Sequence, residues 1–426
     1  MSNSNISGFY RMSIEERLKI VKEFAGLSDE EAAIIGNMGA LDPSKADRMV
    51  ENVIGSIPVT IGVATNFVVN GKDILVPMAT EEPSVIAAAS NSAKLARETG
   101  GFRATSTDPI MIGQIQLTHL KNPDKAMKDL LAHKSELLEL ANSKDPMLVK
   151  LGGGARDIEV RKIETIAGTM LINHLLVNCL DAMGANAVNT MAEAISPRIE
   201  EITGGKVYLR IISNLAVHRL ARAEAVFSAE SLGGEEVVNA ILEAYAFAAA
   251  DPFRAATHNK GIMNGIDAVI LATGNDFRAI EAGAHAYAAY RGGYAPLTNY
   301  KKNAKGDIVG TIEMPMAVGL IGGATAVHPT AKACVRILGV KSAAELGHIV
   351  ASVGLAQNFA ALRALATEGI QRGHMSLHAR NIIVSAAEKM GIKATPELID
   401  KIAPLLIKEK KVRMDRAEEL IRELQK

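Results

Sequence analysis

The stretch Asp251-Pro-Phe-Arg-Ala-Ala-Thr-His-Asn-Lys-Gly-Ile-Met-Asn264 carries an unusual density of side chains that are able to hold a carboxylate or an oxyanion. These side chains are Arg254, Thr257, His258, Asn259, Lys260 and Asn264. An isolated lysine or arginine is usually a surface cation, because charged side chains are rarely buried without a partner. A plain core segment has no need for such a cluster. The stretch therefore favours a binding or catalytic site.

The beginning of this stretch predicts a helix. Asp251 supplies an N-cap side chain, and Pro252 suits the first helical position because the N–H it lacks has no partner there. Gly261 and Gly265 follow Lys260, and glycine allows a backbone to turn sharply or to approach a ligand closely. We therefore expect Lys260 to lie where a bend of the chain meets polar groups.

The composition excludes several classes of protein. A length of 426 residues suggests two or three domains. The formal net charge is zero, so we expect small molecules or further copies of the chain as partners, and no nucleic acid. Cys179 and Cys334 are too few for a disulfide framework or a cysteine-based zinc site, which fits a reducing cytoplasm. Residues 1–17 are polar, and no uninterrupted apolar stretch approaches the ~20 residues of a membrane span, so no membrane partner is expected.

The hydrophobic periodicity predicts an α+β fold in three parts. Strands are expected at 110–117, 157–163, 169–177 and 206–212, with helices at 123–142 and 184–202. This βαββαβ order is the ferredoxin-like arrangement, here at residues 110–214. It interrupts a larger, mainly helical domain formed by 1–109 and 215–374, and residues 375–426 form a helical C-terminal part. Asn70-Gly71 and Lys305-Gly306 each predict a hairpin turn.

Two acids stand at predicted helix starts. Glu82 comes immediately before Pro83, which we take as the first helical position of a helix ending near Arg97. Asp276 precedes a helix that begins near Phe277 and suits the role of its N-cap. An acid at a helix N-terminus ordinarily complements the helix dipole. A proton donor near neutral pH needs a raised pKa instead, so burial or a second carboxylate must oppose the dipole if Glu82 is catalytic.

A turn and a neighbouring acid suggest a nucleotide. Asp181-Ala-Met-Gly-Ala-Asn186 follows an apolar strand and opens a helix, so free backbone N–H groups can face a pyrophosphate, although a plain tight turn is the alternative. No G-x-G-x-x-G follows a predicted strand, which argues against an ordinary Rossmann domain. Asp145, in Lys144-Asp-Pro, is either a turn residue or an acid that binds a ribose 2′-OH and repels a 2′-phosphate. The residues alone leave both alternatives open.

Two further motifs are judged structural on local grounds. His374 and His378 are one helical turn apart, but Met375 replaces the glutamate of H-E-x-x-H and no third ligand is evident, so no metal is expected. The glycine-rich run from Val318 to Thr325 lacks the lysine of a phosphate-binding P-loop. We expect this run to allow close packing of the backbone.

These motifs, in this order along almost the whole chain, resemble those of 3-hydroxy-3-methylglutaryl-coenzyme A (HMG-CoA) reductases, and the flanks of 251–264 resemble the class II form. The resemblance implies a large dimerising domain with the ferredoxin-like nucleotide domain inserted. It also implies that two hydride transfers interconvert HMG-CoA with mevalonate and CoA, through mevaldyl-CoA and mevaldehyde, in isoprenoid biosynthesis or mevalonate catabolism. The implied catalytic residues are Lys260 for the oxyanion, Glu82 for proton transfer, Asp276 for tuning both, and His374 for protonating the CoA thiolate.

The resemblance also assigns binding residues. For the substrate these are Ser84, Arg254, Asn264, Gln357 and Ala361. For the cofactor they are Asp145, Asp181, Met183, Gly184, Ala185, Asn186, Ser213 and Asn214. Similar family members that use NADH carry an acid at the position of Asp145, so we expect NAD(H) to be preferred, with NADP(H) as the alternative.

The resemblance implies a homodimer whose active site lies at the interface. The motif Glu51-Asn-Val-Ile-Gly55 occupies that interface in the family, and a hexamer of dimers is a larger assembly to be tested. Residues 375–426 correspond to the C-terminal flap of the family. After His378 the sequence Ala-Arg-Asn-Ile-Ile lacks the serine that class I enzymes carry for phosphorylation, so that regulation is not expected.

Two other functions fit the same residues. A reductase of a different acyl-CoA keeps Lys260 and His374 but has less use for Arg254, because its substrate lacks the second carboxylate. A regulatory protein whose ferredoxin-like domain only senses nucleotide need not bring the acid, lysine and histidine together. Turnover by the purified protein separates the enzymes from the regulator.

Overall fold

The computed structural model describes residues 12–25, 27–39, 41–290, 292–367, 370–409 and 411–424. The side chains of residues 21, 24, 25, 31, 34, 35 and 370–378 lie outside this description. The strands are β1 Ile61–Val69, β2 Lys72–Ala79, β3 Arg103–Ser106, β4 Ile110–Thr118, β5 Gly154–Thr165, β6 Gly168–Asn178, β7 Lys206–Ser213, β8 Leu220–Phe227, β9 Thr298–Lys302 and β10 Ile308–Pro315.

Helices account for most of the remaining elements. They are α1 Ile14–Ala25, α2 Asp29–Gly36, α3 Pro43–Met49, α4 Val85–Arg97, α5 Pro123–Ala132, α6 Lys134–Asn142, α7 Pro146–Lys150, α8 Ala185–Thr203, α9 Ala229–Leu232, α10 Glu235–Ala250, α11 Pro252–Ala272, α12 Phe277–Ala289, α13 Gly323–Val327, α14 Pro329–Leu338, α15 Ala343–Ala366, α16 Ile370–Lys389, α17 Pro396–Lys408 and α18 Met414–Leu424.

The sheet between residues 110 and 213 has the predicted ferredoxin-like topology. Its strand order is β5-β6-β4-β7, and each neighbouring pair is antiparallel. With the strands numbered one to four in chain order, this arrangement is 2-3-1-4, as a split βαβ repeat requires. The predicted helix at 123–142 is two helices, α5 and α6, which meet at His133. A core that includes Ile115, Leu175 and Ile195 fills the space between this sheet and its helices.

The larger part of the chain is built around two helices. Helix α15 packs against α11 and against the sheet β3-β8-β10-β9, and its central residues are buried. Gly265 and Gly354 make the approach of α11 and α15 possible, because a Cβ on Gly265 would stand 2.8 Å from Cβ of Gln357. The sharp turn predicted at Gly261 and Gly265 is wrong. Helix α11 continues through both glycines, and the close approach at Gly265 is to another helix.

The hairpin of β1 and β2 supports the beginning of α4. Asn70 and Gly71 have φ angles of 50° and 78°, as a type I′ turn requires, so this predicted turn is confirmed. Pro83 is not the first helical position. Helix α4 begins at Val85 after Ser84, whose φ of 75° is left-handed, so Glu82 and Pro83 belong to a turn that leads into the helix.

Helices α16 to α18 have a hydrophobic core of their own, which includes Ile383, Leu406 and Ile421. They follow α15, the one helix of the described residues whose length and apolar composition would allow it to cross a membrane. Two thirds of the apolar window in α15 is buried inside the protein, as in the core helix of a globular domain (67%).

Candidate functional site

The polar face of α11 opens into a cavity of about 730 Å³ between α4, α11 and α15. Its lining contains seven residues to which the family resemblance assigns catalysis or substrate binding: Glu82, Ser84, Arg254, Lys260, Asn264, Gln357 and Ala361. Three separate segments supply them: the turn before α4, the part of α11 from Arg254 to Asn264 and the second half of α15. We call this cavity the substrate cavity. Its volume is in the range of small-molecule sites.

Lys260 and Glu82 form an ion pair in the substrate cavity. The Lys260 Nζ lies 3.1 Å from Glu82 Oε2, although the two residues are separated by 178 positions in the chain. The lysine side chain is 62% exposed, and an exposed pair of this kind contributes at most about 1 kcal/mol to folding. A carboxyl group suited to proton transfer and a positive charge suited to stabilising an oxyanion therefore stand side by side.

Arg254 supplies a second positive charge to the cavity. In the part of the chain that the structure describes, its guanidinium makes no ion pair, and only its backbone N–H is bound, to the Asp251 cap. Partial burial lowers the pKa of Arg254 from its ordinary value. A half-buried guanidinium without a protein partner is suited to a bidentate pair with a carboxylate of a ligand.

Three buried polar atoms around the substrate cavity have no hydrogen-bond partner among the described residues. They are Ser84 Oγ, Gln357 Oε1 and His258 Nδ1. Burial of a polar atom without a partner costs roughly 1–3 kcal/mol, so such atoms are rare unless a ligand, an ion or water completes them. The convergence of three of them on one cavity indicates a polar ligand.

His258 is held by a network that the sequence did not reveal. Asn358 Nδ2 donates to the His258 carbonyl (3.2 Å), which leaves Asn358 Oδ1 to accept from the Thr298 hydroxyl (3.0 Å). Thr298 Oγ1 must then accept from His258 Nε2 (2.6 Å), so Nδ1 carries a lone pair. Burial, and to a smaller degree the charge of Arg254, lowers the pKa of His258 to about 4.

The neutral His258 corrects part of the first interpretation of this helix. A neutral imidazole whose free nitrogen is an acceptor does not hold a carboxylate, so His258 is not an anion ligand. Asn259 is not one either, because its amide donates to the Ala295 carbonyl (2.9 Å) and accepts from the Leu297 N–H (3.0 Å). Both side chains instead fix α11 to the segment that leads into β9.

A second cavity, of about 780 Å³, lies between the ferredoxin-like unit and the end of α11. We call it the nucleotide cavity. Of the predicted cofactor residues, it is lined by Asp145, Met183, Gly184, Ala185 and Asn186. The glycine-rich run is its opposite wall, and a Cβ on Gly319 would stand 2.6 Å from the Met183 backbone nitrogen. This run therefore allows the close backbone packing that the sequence predicts.

The beginning of α8 fits an anionic group. Gly184 is the N-cap with a φ of 108°, and no side chain caps the first turn of the helix. The first N–H groups of an α-helix have no partner within the helix, and the helix dipole is positive there. The donors of Ala185 and Asn186 thus stand at the wall of the nucleotide cavity, which is what a dinucleotide pyrophosphate requires.

Three predicted cofactor residues do not line this cavity. Asp181 Oδ1 accepts from the Ala343 N–H at the start of α15 (2.7 Å), and Ser213 Oγ accepts from the Leu215 N–H (3.3 Å). The Asn214 carbonyl accepts from the Ala216 N–H (2.9 Å). In this structure Asp181 binds the start of α15, whereas Ser213 and Asn214 stabilise the connection from β7 to β8.

Asp145 and Asp276 are both helix caps at the nucleotide cavity. Asp145 Oδ1 accepts from the Leu148 N–H (2.9 Å), so Asp145 caps the turn as one alternative predicts. Asp145 also lines the nucleotide cavity, as a ribose-binding acid must. Asp276 Oδ1 accepts from the Ala279 N–H (3.1 Å) and is the N-cap of α12. Lys260 and the end of α11 are separated by about 18 Å of helix, so one protomer does not bring Asp276 to Lys260.

The predictions for His374 and His378 concern side chains that lie outside the described residues. Among the described residues, the two cavities together define a class of protein. It is an α+β enzyme with a ferredoxin-like domain at a dinucleotide-sized cavity, and with a second cavity equipped for carbonyl chemistry on an anionic substrate.

Comparisons with known proteins identify the family within this class. The family model described as hydroxymethylglutaryl-coenzyme A reductase matches residues 13–379. The 3-hydroxy-3-methylglutaryl-coenzyme A reductase of Archaeoglobus fulgidus is 62% identical over 422 residues, covering 99% of this chain and 95% of the relative. The probable reductase of Borreliella burgdorferi is 37% identical over 346 residues, covering 79% and 78%.

A solved structure agrees with these relatives. The class II reductase of Streptococcus pneumoniae, bound to NADPH in open conformations, matches with a TM-score of 0.76 and 40% identity, over 97% of this chain and all of that one (100%). The chain belongs to the hydroxymethylglutaryl-coenzyme A reductase family. Its function is that of an HMG-CoA reductase, an oxidoreductase of the mevalonate pathway that acts with a nicotinamide cofactor.

Proposed function

We propose that the reduction takes place in the substrate cavity and that Lys260 and Glu82 are its central groups. The observation that carries this proposal is the 3.1 Å pair of their side chains beside an Arg254 guanidinium that no described carboxylate neutralises. Lys260 stabilises the negative charge that develops on the carbonyl oxygen. Glu82 delivers or removes the proton at that oxygen, first for mevaldyl-CoA and then for mevaldehyde.

The remaining groups of the cavity orient the substrate. Arg254 forms a bidentate pair with the free carboxylate of HMG-CoA, which a simpler acyl-CoA lacks. The buried atoms Ser84 Oγ and Gln357 Oε1 find their partners on the substrate, and Asn264 adds an amide on the same face of α11. Ala361 leaves room for the ligand, and His374 protonates the CoA thiolate.

The nucleotide cavity accommodates the cofactor, whose reduced nicotinamide supplies hydride. The residues that hold it are Met183, Gly184, Ala185 and Asn186 at the start of α8, facing the glycine-rich run. Asp145 at the rim favours a ribose 2′-OH over a 2′-phosphate, so we propose that NAD(H) is preferred. Lys144 and Arg278 line the same cavity and offer positive charge to NADP(H) as the alternative.

The two cavities act together in a homodimer. Asp276 lies at the nucleotide cavity of its own protomer, so it reaches Lys260 and Glu82 only if a second protomer supplies it. Exposed apolar side chains near the Glu51–Gly55 motif support contact with a second protomer on this surface. They are Ile57, Val59, Ile61 and Val63. We propose a two-fold dimer, with a hexamer of dimers as the larger assembly, in the cytoplasm.

The separate hydrophobic cores support the proposed domain limits. The ferredoxin-like core lies within 110–214 apart from two small side chains, Ala216 and Ala317, and the C-terminal core comprises residues from 379 onward. We propose a substrate and dimerisation domain of residues 1–109 and 215–374, a nucleotide domain of 110–214 and a flap of 375–426.

The test combines oxidation of NADH or NADPH with sedimentation of the purified protein. We expect HMG-CoA-dependent oxidation of the cofactor to be faster with NADH than with NADPH. We also expect the active protein to sediment as a dimer. Asp145→Ala should shift the preference towards NADPH by about tenfold, as the loss of one discriminating contact implies. Activity from a strictly monomeric protein would contradict the shared site, and an unchanged preference would contradict the role of Asp145.

A further inference from the structure

Arg219 is a buried cation directly before β8, and its guanidinium donates three hydrogen bonds to backbone carbonyls. The residue is only 4% exposed to solvent. Nη1 donates to the carbonyls of Ala182 (2.9 Å) and Met183 (3.1 Å), and Nη2 donates to the carbonyl of Val318 (2.6 Å). It forms no ion pair within the described residues. A buried guanidinium persists in such a place only when several good hydrogen bonds replace water.

The three carbonyls belong to the two chain segments that form opposite walls of the nucleotide cavity. Ala182 and Met183 lie in the loop before α8, and Val318 begins the glycine-rich run opposite. A backbone bond from the Leu320 N–H to the Asp181 carbonyl (2.9 Å) joins the same two segments. Arg219 is therefore a side-chain bridge between the walls, and it reaches them from outside the cavity.

The position of Arg219 decides which way the loop amides face. Arg219 lines a separate cavity of about 190 Å³ and does not line the nucleotide cavity. The C=O and the following N–H of a planar trans peptide point in opposite directions, and the structure contains no cis peptide among its described residues. Carbonyls held by Arg219 thus turn the N–H groups of Met183 and Gly184 away from Arg219, and both residues line the nucleotide cavity, which Arg219 does not.

We propose that Arg219 is a positioning residue for the dinucleotide: it orients the peptide planes of Ala182 and Met183 so that the amides after them, with those at the start of α8, form the pyrophosphate-binding surface. This inference rests on the proposed placement of the cofactor. Successive N–H groups that converge on one point bind anions, and a fixed positive charge behind them strengthens that binding. Gly184 allows the loop to pack closely, because a Cβ at this position would lie 2.4 Å from Cys179 Sγ.

The experiment measures binding of ADP-ribose, which contains the pyrophosphate but no nicotinamide, by calorimetry with the full-length protein. Arg219→Met removes all five donors of the guanidinium at similar length. We expect its affinity for ADP-ribose to fall about ten- to a hundredfold, as the loss of charge-assisted hydrogen bonds implies. Arg219→Lys keeps the charge with fewer carbonyls in reach, so its loss should be smaller. The Lys variant also serves if the Met variant does not fold.

Two internal controls separate positioning from general damage. Leu220→Ala, the next residue along the chain, shortens a buried side chain of the same small cavity without removing a hydrogen bond to the loop. It should lower the melting temperature and leave ADP-ribose affinity unchanged. Binding of free 3-hydroxy-3-methylglutarate, which belongs to the substrate cavity, should be the same in the Arg219 variants and the unmodified protein. The KM for the reduced cofactor should rise while the KM for HMG-CoA stays constant.

A further variant tests the placement of the cofactor itself. Ala185→Asp adds a negative charge at the first position of α8, on the wall of the nucleotide cavity. If Ala185→Asp abolishes ADP-ribose binding and the Arg219 variants weaken it, the proposal stands. If Ala185→Asp abolishes binding but the Arg219 variants bind like the unmodified protein, the role of Arg219 is refuted alone. Unchanged binding by Ala185→Asp refutes the placement of the cofactor and the role of Arg219 with it.

Discussion

The substrate cavity and the nucleotide cavity are similar in volume, but different chemical groups form their functional surfaces. Charged and amide side chains dominate the functional surface of the first: Lys260, Glu82 and Arg254 stand there with three unpaired polar atoms. The second also has charged side chains in its lining, but its two walls, the loop before α8 and the glycine-rich run, meet through backbone at close distance. Carbonyl chemistry needs a charge and a proton at one atom, whereas a pyrophosphate is satisfied by several amides whose residue type matters little.

This difference predicts different responses to substitution. In the substrate cavity, removal of one side chain should remove chemistry and leave the fold intact. In the nucleotide cavity, addition of atoms should do the damage, because the surface depends on the close approach of two backbone segments. The following predictions test this contrast.

Lys260→Ala should have the largest effect. Removal of a preorganised oxyanion donor costs about a hundred- to a thousandfold in kcat. The melting temperature should hardly change, because the Lys260–Glu82 pair is exposed and contributes little to folding. Steady-state kinetics and thermal melts measure the two quantities. Lys305→Ala, an exposed lysine in the turn between β9 and β10, is the matched control and should keep full activity.

The network around His258 should make the substrate cavity sensitive to acid. Burial lowers the pKa of His258 from 6.5 to about 4. Between these values the unfolded chain binds a proton that the folded protein does not, so stability rises with pH across this window. Its contribution is complete above pH 6.5 and falls by about 3 kcal/mol as the pH drops to 4.

His258→Gln isolates this contribution. Its amide can still donate to Thr298, but it has no titration in the window. Urea unfolding between pH 4 and 6.5, the two pKa values, should therefore show a shallower pH dependence for the variant than for the unmodified protein, by one proton. Parallel curves would show that His258 does not resist protonation in the folded state.

Gly319→Ala should damage the nucleotide cavity through one added methyl group. Its Cβ would stand 2.6 Å from the Met183 nitrogen, so the loop before α8 must move. We expect the KM for the reduced cofactor to rise about tenfold or more, since an overpacked contact of this kind costs roughly 1–3 kcal/mol. The KM for HMG-CoA should change little. Equal changes in both KM values would argue against the separation of the two sites.

Gly261→Ala should have the smallest effect and the opposite sign for stability. A Cβ at Gly261 meets nothing within 4 Å, and alanine inside a helix is more stable than glycine by about 0.5–1 kcal/mol. Gly265→Ala, one turn further along α11, is the matched control and should destabilise, because its Cβ would approach Gln357 and Val353. Thermal melts of the two variants measure these opposite changes in stability. Destabilisation by both would mean that α11 tolerates no added bulk at the substrate cavity.

Much of the fold could be predicted because its signals are local. The turn at Asn70-Gly71, the caps at Asp251 and Asp276, and the βαββαβ order all depend on residues a few positions apart. The errors arose where a local rule competed with packing. Pro83 suits a helix start, but the left-handed Ser84 delays α4 by two residues, and glycines that suit a turn at Gly261 and Gly265 instead sit inside a continuous helix.

The sequence by itself determined which chemical groups are present and which helix or turn carries each one, because capping, periodicity and turn preferences act over a few residues. Only the tertiary structure decided which groups meet. It paired Lys260 with Glu82 across 178 positions, gave His258 its tautomer through Thr298 and Asn358, and placed Arg219 behind the nucleotide loop. These contacts follow from the packing of α11 against α15 and α4, and from the place of Arg219 beside the loop before α8 and the glycine-rich run. No pattern within a single segment encodes that packing.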